Sequence, residues 1–194
     1  MLGSREVSAC AGVAIAKAHT PLSALFDLAH GLCNLAKERS YDSYLENGCE
    51  ESCLDFQVVT TPNWDTPKTT RQALTPRQDT RLTCRPYSVL EVKKLLEAVR
   101  TLKLEQFPPG KLYDLYRSLW QGRHRATYQY LTLYARARES QNGVKQQSAL
   151  LTVEQLLNLG QGRFPAPWRP WQGLSQGQET PYGDLVEIYQ FVQP

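Results

Sequence analysis

Three kinds of side chain in this 194-residue sequence have a spacing that bears on chemistry. The first is cationic. Lys68, Arg71, Arg77, Arg81 and Arg85 lie between positions 68 and 85 against one acid, Asp79. Lys111, Arg117, Arg123, Arg125, Arg136 and Arg138 lie between positions 111 and 138 against Asp114. Guanidinium and ammonium groups clustered in this way suit phosphates, which they contact without reading sequence. Arg123, His124 and Arg125 also sit beside Trp120 and Tyr128, rings on which bases stack. A solvated helix face has the same composition, and a net charge of +3 does not by itself announce a nucleic-acid binder. The second kind is the thiol. Cys10, Cys33, Cys49, Cys53 and Cys84 are odd in number and irregular in spacing, which argues against a disulfide framework. Only Cys49 and Cys53 are close. No second pair accompanies them and His19, His30 and His124 are distant, so the five read as reduced thiols rather than zinc ligands. The third is the carboxylate. Two-metal phosphoryl chemistry needs paired acids to hold its ions. The sequence has no Asp-Asp pair, and Asp27, Asp55 and Asp65 are scattered without metal-ligand spacing.

The elements that would position these groups follow from periodicity. Val7 to Lys17 is a small, apolar run with Gly12 at its centre, which predicts a strand buried on both faces. Thr20-Pro21 opens a helix, with Thr20 as N-cap and Pro21 at its first position. Leu22, Leu25, Phe26, Ala29, Leu32, Cys33 and Ala36 make its apolar face, and Lys37 and Arg39 close it where cations suit the dipole. Residues 41–52 read as a polar loop, and Leu54 to Thr61 as a strand rich in β-branched residues. Residues 62–86, with Pro62, Pro67, Pro76 and Pro86, read as a connection with a short strand at Arg81–Cys84. Ser88 and Glu91 form a capping box, followed by the stripe Val92, Leu95, Leu96, Val99 and Leu102. Pro108-Pro109-Gly110 breaks it, and Leu112, Leu115, Tyr116 and Leu119 predict the next helix. A further helix is expected over His124–Arg138, a short one capped by Thr152 and Gln155, and a last one from Thr180-Pro181. Residues 160–182 are rich in Gly, Pro, Gln and Trp and read as an irregular loop that Trp168 and Trp171 anchor.

The fold class expected is α+β: a β-α-β segment over 1–61, a basic Pro/Thr-rich connection over 62–86, and a mainly helical domain over 87–194. No apolar run approaches the length of a membrane span, and Met1 to Glu6 has no basic-then-apolar signal, so a cytoplasmic protein is expected. Two strands and one helix cannot bury both faces of a sheet. Either the helical region covers the first strand, or another chain completes the sheet.

Ser8-Ala9-Cys10-Ala11-Gly12-Val13-Ala14-Ile15-Ala16, then Pro21-Leu22 and an apolar helix reaching Ala36-Lys37, is similar to the closing half of ferredoxin-like nucleotide-cyclase palm domains, diguanylate cyclases included. Leu54-Asp55-Phe56-Gln57-Val58-Val59, Arg81-Leu82-Thr83-Cys84-Arg85-Pro86-Tyr87-Ser88 and Gly183-Asp184-Leu185-Val186-Glu187-Ile188 follow in order. With them the chain resembles the C-terminal portion of the large palm-domain subunit of type III CRISPR effector complexes, over nearly its whole length. That resemblance implies a partial palm whose complete form makes cyclic oligoadenylates from ATP, and a helical domain packed along crRNA and target RNA. It implies nucleotide contacts by Lys37, Ser8 and Gly12, Lys37 reaching a triphosphate; the other reading of Lys37 is a solvated lysine, and of Gly12 strand packing. It implies RNA contacts by Arg71, Arg77, Arg81, Arg85, Arg117, Arg123, Arg125 and Arg136. The family's Gly-Gly-Asp-Asp metal hairpin is missing. The chain is therefore expected to be no enzyme alone. It would use ATP and a divalent metal only when a complementary palm-half chain supplies the motif, beside other CRISPR effector subunits. A fragment of a diguanylate-cyclase-like signalling enzyme and a small helical adaptor are the alternatives.

Overall fold

A computed structural model describes residues 8–60, 65–139, 143–160, 165–171 and 177–194. The expectations for Met1–Val7, for Thr61-Pro62 and for loop residues 161–164 and 172–176 lie outside them. The protein is α+β, with seven helices and two small mixed sheets among the described residues. It divides into two compact units, Met1–Thr70 with Arg85–Val92, and Arg71–Cys84 with Lys93–Pro194.

In the first unit, β1 (Cys10–Ala16) runs into α1 (Leu22–Asn47), which returns the chain to β2 (Cys53–Val59) parallel to β1. The register pairs Cys10 with Cys53 and Ala16 with Val59. A two-residue strand from further along, Tyr87–Ser88, adds antiparallel to the outer side of β2, giving β1 one neighbour among the described residues. α1 packs on the face that carries Gly12. A Cβ at Gly12 would lie inside the backbone of Ala29 and Cys33, so only glycine lets helix and strand come this close. The opposite face carries Phe56, which stacks on Tyr87 at 6.3 Å and lies under the Arg85 guanidinium. Beside Phe56 in the register, Val13 is 37% exposed, and Ala11 is exposed as well.

Three expectations are corrected here. Among the described residues β1 is covered by α1 on one face, while Ala11 and Val13 on the other are exposed; Gly12 serves the close approach of α1. The helix does not end at Lys37 and Arg39, and residues 41–47 are not loop. α1 continues to Asn47 and ends where Gly48 adopts φ 72°, its N–H bonding the Tyr44 carbonyl at 2.8 Å. The polar composition of this stretch reflects solvent around the helix, not absence of helix. Its start is also displaced by one position: Pro21 is the cap residue and Leu22 the first helical one.

The second unit is a helical assembly. Its helices are α2 (Pro67–Ala73), which begins in the first unit, α3 (Val89–Leu104), likewise shared, α4 (Pro109–Trp120), α5 (Arg123–Glu139), α6 (Gly143–Leu157) and α7 (Tyr182–Ile188). The apolar stripes meet in a core containing Leu95, Val99, Leu102, Leu112, Leu115, Leu119, Tyr130, Val153 and Leu185. The capping box forms: Ser88 N–H donates to Glu91 at 2.9 Å and Glu91 N–H to the Ser88 hydroxyl at 3.3 Å. Thr152 is not a cap. It lies inside α6, its hydroxyl donating back to the Ser148 carbonyl at 3.0 Å. Numbering the strands in chain order, β3 is Thr80–Arg81, shorter than expected, β4 is the Tyr87–Ser88 strand above, and β5 (Arg169–Pro170) and β6 (Gln178–Glu179) complete a small sheet in the order β3-β6-β5. Buried Asp184 ties this unit together: it accepts the Thr83 hydroxyl at 2.7 Å and the Cys84 N–H at 2.8 Å.

Candidate nucleic-acid interface

In the second unit, the amino-terminal half of α5 forms one wall of a cleft of about 500 Å³. Gly122 has φ 110°, a conformation that turns the chain sharply from α4 into α5. The first turn of α5 is then Arg-His-Arg with no acid of its own, the end of a helix that favours anions, although Asp79, just before β3, already faces Arg123 there. Arg123, His124, Thr127, Tyr128 and Leu131 line the cleft from this helix. Gly160, Ala166, Trp168, Pro170 and Gln178 line it from the other side. Trp168 is buried, and its indole N–H donates to the Thr127 hydroxyl at 3.2 Å, joining the two walls.

The cations around this cleft are held to different degrees. Arg123 pairs with Asp79 at 3.4 Å. The Thr80 hydroxyl, and then Arg123, keep the Asp79 carboxyl below its usual range, so it stays an anion at neutral pH. Arg77 approaches Gly122: a Cβ there would be 3.5 Å from its guanidinium. Arg125 is exposed, with its guanidinium 5.9 Å from the Tyr128 ring centre, and Tyr128 itself is 62% exposed.

The remaining sequence-predicted residues fall elsewhere. Arg81 is half-buried, 3.9 Å from Glu179 and 5.7 Å from the Trp171 ring centre. Arg71 is half-buried, while Arg117 on α4 and Arg136 on α5 are exposed. Arg85 is not a surface cation. It is 1% exposed and donates to the Phe56 carbonyl at 2.9 Å while lying 4.9 Å from that ring's centre. Its position in a basic run concealed this, because sequence alone does not separate a guanidinium that packs on an aromatic face from one that faces water.

In the first unit, Gly12 points into α1. Lys37 is exposed and ten residues before the end of α1, too far from that terminus to feel its dipole. Ser8 donates to Glu50 at 2.7 Å. The Cys33 thiol meets the Cys10 carbonyl at 3.6 Å, so Lys37, one turn past Cys33, and Ser8, two residues before Cys10, share one end of the β-α-β unit. Among the described residues, no group of three or more His, Cys, Asp or Glu is gathered to hold a metal ion. Asp55 is fully buried and accepts the Phe56 N–H at 2.8 Å; Asp27 and Asp65 line a smaller cleft with Gln57. No helix among the described residues is long and apolar enough to cross a membrane.

The Trp168, Thr127 and Gln178 contributions to the larger cleft escaped the sequence reading. Trp168 was expected only as a loop anchor, and nothing in the spacing of residues 127, 168 and 178 signals that they meet. Neither the protein-family models nor the curated proteins give a match to this chain.

Proposed function

We propose that the chain is a structural and RNA-binding part of an RNA-guided type III CRISPR antiviral effector complex in the cytoplasm. In this reading it contributes the β-α-β half of a ferredoxin-like, ATP-binding palm and a helical, RNA-facing unit. The observation that carries the reading is the one-sided pairing of β1. Parallel strands occur with both faces of the sheet covered, yet β1 has β2 as its single neighbour among the described residues and exposes Val13 and Ala11 away from α1. A complementary palm-half chain adding strands there would satisfy both the edge and the face. The helical-adaptor alternative, by contrast, expects this strand to be covered by the chain's own elements.

This chain's residues suit the phosphate end of ATP rather than its metals. Lys37 offers a point charge at the end of the unit where the Ser8 hydroxyl, which would have to leave Glu50, also lies, whereas Asp55 is committed to the backbone of β2. The divalent ions would be held by carboxylates of the other half, and without that half the chain makes no product. The test is affinity capture of the tagged chain co-expressed with crRNA and the candidate palm half, with and without ribonuclease. The expected result is recovery of crRNA and of the partner, and synthesis of oligoadenylate from ATP and a divalent metal when both halves and target RNA are present. Recovery of the chain as a monomer free of RNA and of any partner would overturn the reading.

A further inference from the structure

The α5 cleft differs from a surface that merely tracks phosphates, because much of its lining is apolar and its basic side chains come from the first turn of α5. We infer that it takes a single unpaired nucleotide from an RNA strand, with the base against Tyr128 and the phosphate at the Arg123-His124 rim. Four observations lead there. The volume of about 500 Å³ falls within the range of small-molecule sites, roughly 300–1,000 Å³, and cannot admit a duplex. Leu131, Ala166, Pro170 and Trp168 give the cleft an apolar lining, a surface suited to a flat heterocycle. Tyr128 stands at the mouth, 62% exposed and braced by Arg125 at 5.9 Å, so it has not been absorbed into the core as Tyr130 and Tyr182 have. Thr127 and Gln178 add a hydroxyl and an amide to the walls, groups able to bond a base edge.

A base paired within A-form RNA has both faces stacked and its edge engaged, so it offers this cleft nothing but backbone. An unstacked base offers a free π-face, and stacking one on an aromatic side chain contributes enough that alanine substitution costs about tenfold in affinity. The inference refines the RNA-facing reading above but is tested separately from it. A nucleotide unit also occurs in free ATP, so the experiment separates the two sources.

The measurement is fluorescence anisotropy of the full chain with a labelled oligouridine, with a duplex RNA, and with oligouridine in competition with millimolar ATP, all at one salt concentration. The variants are Tyr128→Ala and Tyr128→Phe, the position being exposed enough that both should fold. The expected result is tighter binding of the single strand than of the duplex. Tyr128→Ala should lose about tenfold for the single strand alone, Tyr128→Phe should retain it, and ATP should not displace the strand. Equal binding of oligouridine by wild type and Tyr128→Ala, no binding by wild type, or a preference for duplex would overturn the inference. Displacement by ATP would overturn the assignment to an RNA strand in favour of a free nucleotide. If crRNA is still recovered in the capture experiment while Tyr128→Ala binds normally, this inference fails and the proposed function stands. If oligouridine binding depends on Tyr128 while no crRNA or partner is recovered, the reverse holds.

Discussion

Gly12 is the residue on which the first unit turns. Its position between β1 and α1 leaves no volume for a methyl group, and the obstacles are backbone atoms of Ala29 and Cys33, which cannot rotate aside. Gly12→Ala should therefore destabilise the protein by about 3 kcal/mol, at the upper end of overpacking costs, read as a lowered urea midpoint. The thiols give a second residue-scale prediction. Burial, partly offset by the Arg39 charge, pushes Cys53 from 9.0 up to about 11, and burial also raises Cys84. The folded state holds these protons longer than the unfolded one. The Cys53 contribution is thus intact below about pH 9 and is lost as pH climbs toward 11. Thermal midpoints measured across that window should fall, and less steeply in Cys53→Ala. At pH 8, a thiol reagent should label exposed Cys49 while leaving Cys53 and Cys84 until the chain unfolds.

At the scale of elements, the capping box at Ser88 and Glu91 was legible because both halves of the motif are local in sequence. Its two hydrogen bonds are present, and Glu91 also pairs with Arg39 at 2.5 Å. Ser88→Ala should cost about 1 kcal/mol in denaturant unfolding, and Glu91→Ala more, because the Arg39 pair goes with it. The amphipathic stripes of α3 and α4 were equally legible, since spacing alone places Leu95, Val99, Leu112 and Leu115 inward. The far end of α1 was not. Lys37 and Arg39 looked like a terminus by charge, but the stop is the left-handed Gly48, and the intervening turns are wetted helix whose polarity mimics a loop. Thr152 misled for a related reason: the cap pattern is short, and a threonine inside a helix satisfies its hydroxyl on the preceding turn. The cleft was half legible. Arg123, His124 and Tyr128 announced themselves as neighbours on one helix, whereas Trp168 and Gln178 reach it through folding that leaves no local signature.

For the whole molecule, the open side of β1 gives a prediction that needs no activity. Hydrogen exchange of the chain alone should find outward-facing β1 amides exchanging faster than those of β2, and addition of the proposed palm-half partner should slow them. Failure of a verified partner to protect β1 would place its contact elsewhere. The second unit has its own signature of connectivity. Thr83 and Cys84 hang from Asp184, β3 pairs with β6, and Gly183 sits against the Leu82 carbonyl so closely that a side chain would collide with it. Contacts spanning a hundred residues close slowly, since the intervening chain must first be gathered. They also impose an order on synthesis. While a ribosome is still translating the codons before 178, the segment 71–84 lacks its partners at 178–184, and this unit can close only after those residues have been made. A stop codon just ahead of Gly183 would not trim the unit but leave it without its keystone, a product for proteases rather than a shorter working version.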